Sequence, residues 1–265
     1  MKWSFHFLLL FFLIIIVGML YSGVHYQGST ATVDTNDSSS GTTLDQSSCH
    51  TQFGSIMGVH QGVFAYSNCN SDYISEDDSV IKVSGAKNLY AGLRWQCVEY
   101  ARRYWMLVGT PVPAYFGSIN GAADIWALTI VYTVSDATTL PLHRFESMTK
   151  KDYESAQQTP SSAMGNITNT VPRVGDILIY KRELPSFPYG HVAVVVEFVA
   201  GATTAGAAAA SAPYVLVGEQ NWDNEMWPSP YHNYSRRVNM VYDASKEVYT
   251  LVDVEGTLYG WMRYG

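Results

Sequence analysis

RWQCVEYARRYWMLVG, residues 94–109, is the stretch on which the fold turns. From Cys97 onward, Val98, Ala101, Tyr104, Trp105 and Val108 recur at the spacing of one buried helix face. Gly109 supplies a C-terminal stop, and Pro111 and Pro113 keep the chain from resuming the helix. The text on either side is of another kind. FGSIMGVHQGVFAYSN, residues 53–68, alternates apolar residues with glycine and reads as extended structure. PRVGDILIYKR (172–182), GHVAVVVEF (190–198), PYVLVGEQNW (213–222), KEVYTLVDV (246–254) and GTLYGWMRY (256–264) read as strands. Helix first and antiparallel sheet afterwards is an α+β arrangement. A second helix is predicted over NGAADIWALTIVY, residues 120–132. The polar stretch from Thr149 to Asn169 reads as loop, and the Ala-rich run 201–213 as a low-complexity connection that bulges outward.

Composition bounds the function. The 265 residues are 47% hydrophobic, a globular composition, and carry a net charge of −7. Nucleic acid is a poor partner for such a chain, because phosphate binding needs clustered Lys and Arg. The acidic loop SDYISEDDS, residues 71–79, lacks the spaced oxygen ligands of a cation site and reads as a solvated turn. No metal and no cofactor is expected.

The N-terminus stands apart. Lys2 precedes the uncharged run FLLLFFLIIIVGML, residues 7–20, which with Trp3 and Phe5 approaches the ~20 residues needed to span a bilayer. Residues 1–21 therefore read as a signal peptide or an uncleaved signal anchor, with the rest outside the cytosol. Residues 22–52, rich in Ser, Thr, Gly and Asp, read as a flexible linker. The folded domain is expected over 53–265, secreted or membrane-anchored. Sequons at Asn36, Asn166 and Asn233 agree with secretory entry. Of three cysteines, Cys49 and Cys69 are the candidate disulfide for an oxidising compartment, which leaves Cys97 over.

Cys97 falls in the first turn of its helix, where unpaired N–H groups and the helix dipole favour a thiolate. A nucleophile needs a base, and the candidate is His191 at the start of its strand. The candidates that orient it are Glu219 and Asn221. An antiparallel pairing of 191–198 with 214–221 places His191 opposite Asn221, and a two-residue shift places it opposite Glu219. A satisfied core network of polar groups is the alternative. Gln96, beside the cysteine, is a candidate oxyanion donor with the Cys97 N–H.

WQCVEYARR, GHVAVVVE and GEQNW, in this order, resemble the CHAP family of cysteine, histidine-dependent amidohydrolases/peptidases in the papain-like clan. FGSIMG, PRVGDILIY and the terminal LYGWM extend the resemblance over about residues 53–264, nearest to the amidase domain of glutathionylspermidine synthetase/amidase. It implies a papain-like (CHAP/NlpC-type) fold with Cys97 as nucleophile, His191 as base and Glu219 as the residue orienting it. It implies Gln96 in the oxyanion hole and Arg102 and Asn221 at the substrate. The expected substrate is a small peptide amide such as glutathionylspermidine. An exported domain brings in peptidoglycan as the alternative, and a non-catalytic binding protein on the same scaffold is the third reading. Oligomeric state is open.

Overall fold

Helix α1, Cys97–Val108, lies at the centre of the computed structural model, which describes residues 44–83, 88–158, 166–201 and 212–265. Its apolar face buries Tyr100, Ala101, Tyr104 and Trp105. Large side chains of this kind each contribute about 2–3 kcal/mol when fully buried. The helix ends at Gly109, whose N–H still bonds Trp105 O at 3.2 Å. Gly109 is the C-terminal stop, with φ −61° rather than a left-handed conformation. It is small because a Cβ there would lie 2.1 Å from the Tyr264 hydroxyl.

The helix packs on a large antiparallel sheet. In chain order the strands are β1 (Ile56–His60), β2 (Val63–Tyr66), β3 (Asp78–Ile81), β4 (Leu89–Leu93), β5 (Ala114–Tyr115), β6 (Ile130–Thr133) and β7 (Thr139–Phe145). They continue with β8 (Met148–Thr149), β9 (Ile177–Tyr180), β10 (His191–Val199), β11 (Tyr214–Gly218), β12 (Arg236–Asp243), β13 (Val248–Val252) and β14 (Leu258–Tyr264). Ten of them form one sheet in the order β5-β6-β7-β14-β9-β10-β11-β12-β13-β8, while β1-β2 and β3-β4 form separate hairpins. The fold is α+β, a papain-like arrangement of one buried helix on an antiparallel sheet.

Central strands β9 and β10 are buried on both faces. Their Ile177, Ile179, Val192 and Val194 join the α1 side of the core. Leu178, Tyr180, Ala193 and Val195 join a second layer with Val215, Val217, Val238, Met240 and Trp261. That is why these segments read as continuous apolar runs rather than alternating ones.

Three expectations are corrected. Residues 120–132 do not form an α-helix: Ala122–Ala127 is a 3-10 turn, and Ile130–Thr133 is a strand. The β-branched run Thr129-Ile130-Val131 fits a pleated strand better than a helix. The stretch 149–169 is not all loop. Helix α2, Lys150–Gln158, starts with the Thr149 hydroxyl accepting the Asp152 N–H at 3.1 Å and is anchored by the one buried residue Tyr153. Leu44–Gln52, read as the end of the linker, belong to the compact unit Leu44–Gly265. A 3-10 turn at Gln46–Ser48 and a Cys49–Cys69 disulfide hold this segment. The apolar run 7–20, linker residues 22–43 and most of the Ala-rich connection lie outside the described residues. Among the described residues no helix is long and apolar enough to cross a membrane.

Candidate active site

Cys97 opens α1 with Gln96 as its N-cap residue, so its sulfur faces the end of the helix that favours negative charge. It is 8% exposed and is the free cysteine of the three. His191 opens β10 and is 2% exposed. The turn before it requires Gly190: its φ is +72°, and a Cβ would lie 2.6 Å from Tyr180 O and 2.7 Å from the Ala123 Cβ. This close approach seats the imidazole at the end of the sheet beside Cys97, with which it shares a hydrogen bond.

The other side of the ring is held by Glu219. His191 Nε2 lies 2.9 Å from Glu219 Oε2, which leaves Nδ1 for the thiol. Glu219 follows the last residue of β11 and is 1% exposed. Its Oε1 accepts hydrogen bonds from the Ser235 hydroxyl at 2.9 Å and from Arg236 Nε at 2.7 Å. Arg236 also pairs with Asp253 and donates to the Tyr180 hydroxyl at 2.9 Å, and that hydroxyl donates to Asp253 Oδ2 at 2.7 Å. The Arg236 guanidinium lies 3.7 Å from the Trp222 ring centre, and the Trp222 ring meets His191 edge-on at 4.7 Å. Tyr180 and Phe187 complete an aromatic wall around the imidazole.

These contacts set the charges. Burial alone pushes the Cys97 thiol up, but the His191 charge and hydrogen bond and the N–H groups of Val192 and Val98 outweigh it and hold the thiol below its ordinary value. Burial alone pushes His191 down, and the Cys97 thiolate together with Glu219 raises it to about 9. Burial works against ionised Glu219, and Arg236 and His191 bring it down to about 2. The opposite shifts on Cys97 and His191 favour charge separation between the thiol and the imidazole.

The other sequence-derived candidates fall elsewhere. Asn221 does not meet His191. With φ +53° it turns away from the strand, and its Nδ2 donates to Gln96 Oε1 at 2.9 Å. Gln96 Nε2 points at Asn68 Oδ1 (3.3 Å) and Tyr73 O (3.2 Å) rather than at the thiol. Arg102 is a correction: it is 3% exposed, and its guanidinium donates to the backbone carbonyls of Ala91, Phe116 and Gly117. A guanidinium used in this way ties α1 to the chain around it, with three of its five N–H donors spent on backbone carbonyls inside the core.

Sequence reasoning missed Arg236, Ser235, Asp253 and Tyr180, because β12 was not recognised and the pairing that brings it beside Glu219 is long-range. It also missed a buried network below Gln96. Glu99 accepts from Arg103 (2.5 and 3.1 Å), Ser79 (2.8 Å) and Gln220 Nε2 (2.9 Å), fixing the first turn of α1 to the loop after β11. The signal was present in the i,i+4 pair Glu99 and Arg103.

The CHAP domain family model matches residues 88–221, a span that runs from β4 to the loop after β11 and holds Cys97, His191 and Glu219. Glutathionylspermidine synthase of Crithidia fasciculata is 29% identical over 224 residues, covering 79% of this chain and 26% of that protein. The bifunctional glutathionylspermidine synthetase/amidase of Escherichia coli strain K12 is 28% identical over 219 residues, covering 79% of this chain and 29% of that protein. Trypanothione synthetase of Crithidia fasciculata is 26% identical over 182 residues, covering 68% of this chain and 22% of that protein. The chain thus spans less than a third of the length of these curated relatives.

Proposed function

Since the chain belongs to the CHAP domain family of amidohydrolases and peptidases, we propose that it hydrolyses amide bonds through a Cys97–His191–Glu219 triad and an acyl-enzyme. The observation that carries the reading is His191 held between the Cys97 thiol and a buried Glu219 carboxylate. The thiolate attacks the amide carbonyl carbon, and the C=O electrons move onto oxygen. The Cys97 backbone N–H, without an intrahelical partner at the helix start, faces the developing oxyanion. The Gln96 amide joins it when its long bonds to Asn68 and Tyr73 yield to substrate. The imidazolium gives its proton to the leaving nitrogen, the C–N bond breaks, and a thioester remains. His191 then takes a proton from water, whose oxygen attacks the thioester and releases the acid and the thiolate. Glu219 stays ionised and fixes the tautomer throughout.

The substrate is a small peptide amide of the glutathionylspermidine type, a reading supported by the similarity to the bifunctional glutathionylspermidine synthetase/amidase. A peptidoglycan cross-bridge is the second reading. The Cys49–Cys69 disulfide favours it, because such bonds persist in oxidising compartments outside the cytosol, where the apolar run 7–20 would deliver the domain. Purified protein is incubated with glutathionylspermidine and with muropeptides, each beside Cys97→Ala. Release of the amine from one substrate set by the wild type alone supports the corresponding reading. Hydrolysis of neither set sinks both.

A further inference from the structure

Glu219 must stay anionic in a dry site, and much around it opposes that. Burial and the Asp223 carboxylate of its own loop disfavour the charge, while Tyr100 of α1, pushed well above its ordinary value by burial, stays neutral beside it and Asp253 of the turn after β13 is paired with Arg236. The cations in contact with it are His191 of β10 and Arg236 of β12. His191 belongs to the reaction and changes its protonation during the cycle, so its support comes and goes. Arg236 does not titrate in the working range. Its Nε donates to Glu219 Oε1 at 2.7 Å, its Nη1 pairs with Asp253, and its Nη2 donates to the Tyr180 hydroxyl. The Trp222 ring covers the guanidinium face at 3.7 Å and also borders His191, so one indole shields both bonds of Glu219 from water.

We propose that Arg236 is a positioning residue for the triad, holding Glu219 anionic and aimed at His191, with Asp253 and Tyr180 holding Arg236 in place. The proposal rests on the Cys97–His191–Glu219 reading. Its chemistry is permanent charge compensation: when His191 gives up its proton, Glu219 keeps a cation and does not take the proton itself.

The test is Arg236→Met, which keeps the length and removes the charge. Two profiles are read against pH: hydrolysis of the substrate and alkylation of Cys97 by iodoacetamide, which reports thiolate without any turnover. Without Arg236 the remaining neighbours push Glu219 up, so the acid limb of both profiles moves to higher pH, and kcat/KM falls about 10–100-fold. Added guanidinium ion restores rate to Arg236→Ala and not to the wild type. If Arg236→Met does not fold, Asp253→Asn leaves Arg236 present but unanchored and shifts the acid limb the same way by less. A folded Arg236→Met, or Asp253→Asn in its place, with unchanged acid limbs overturns the proposal. Shifted alkylation with no hydrolysis of any amide would count against the amidase reading and leave this one standing.

Discussion

His191 Nε2 and Glu219 Oε2 are 2.9 Å apart, although the two residues are not opposite each other in the sheet. Val194 pairs with Gly218 and Val195 with Val217, a register that would set His191 across from position 221. Glu219 is therefore the diagonal neighbour, reached because β11 stops at Gly218 and Asn221 turns away into the left-handed region. A β-bulge after Val195 shifts the rest of the hairpin by one residue and leaves this end in register. The geometry of the site depends on where one strand ends.

Removing the sulfur tests the nucleophile. Cys97→Ala is expected to lower amide hydrolysis at least about 10³-fold and to abolish iodoacetamide labelling of the folded protein. Near-ultraviolet circular dichroism should remain that of the wild type, since a small residue fits the start of α1. Substantial activity in a folded Cys97→Ala protein would refute the mechanism.

The thiolate–imidazolium pair predicts a pH window. Cys97 is held below its ordinary value and His191 is raised to about 9. Alkylation of Cys97 at pH 7 should therefore be faster than that of an ordinary thiol of pKa about 8.5. The alkaline limb of kcat should fall near the His191 value as the imidazolium loses its proton. In His191→Asn the lowering charge is gone and burial pushes the thiol up, so labelling at pH 7 slows. Equal labelling rates in both proteins would remove the ion pair from the account.

Glu219→Gln separates charge from shape. Its carboxyl is depressed to about 2 from an ordinary 4.5. Unfolded chain takes up the proton first as pH falls, so this stabilisation is complete above 4.5 and is lost as pH drops through about 2. The shift corresponds to about 3 kcal/mol. Glu219→Gln leaves Arg236 and His191 without their anion and should cost about 3–5 kcal/mol at pH 7. Its stability should then vary less between pH 4.5 and 2 in urea unfolding. Identical acid slopes in the two proteins would contradict the assignment. Activity should fall by up to about 10⁴-fold, because an amide cannot support the imidazolium.

Arg102 separates a structural from a substrate role. Arg102→Lys keeps the charge but loses the fork that serves three carbonyls. Unfolding free energy should drop about 2–4 kcal/mol, while KM of the folded enzyme changes less than about twofold. A large rise in KM with unchanged stability would restore the substrate clamp.

How much was legible follows from which signals are local. The α1 face, the strands β9, β10, β11, β13 and β14, and the nearness of His191 to the end of β11 come from periodicity and from one antiparallel pairing. Helix α2 was missed because Tyr153 is its one buried residue, though Thr149 and Asp152 carry a capping signature. Arg236 was invisible because its role depends on β12 lying beside β11, a pairing with no mark in either segment. Arg102 misled for a different reason. An arginine one turn past a nucleophile looks available, and only the packing of Ala91, Phe116 and Gly117 around it shows that it is buried on their carbonyls.

The disulfide and the site are connected through one buried asparagine. Cys69 follows Asn68, which has no exposed surface. The Asn68 Oδ1 accepts from the Trp95 N–H and Gln96 Nε2, and its Nδ2 donates to Asn70 O and Tyr73 O. Its own N–H donates to Asn224, whose side chain bonds Asn221. The Cys49–Cys69 link spans 20 residues of sequence, and its removal should cost about 3 kcal/mol by loop entropy. Cys49→Ser/Cys69→Ser should therefore unfold at lower urea concentration. Asn68→Ala, with the disulfide intact and the backbone N–H to Asn224 kept, should act on the site instead: kcat rises as the Gln96 amide no longer has to leave Asn68 Oδ1 to reach the oxyanion, while Cys97 labelling persists because His191 and Glu219 are untouched. Unchanged kcat in folded Asn68→Ala would show that the loop supports the fold alone.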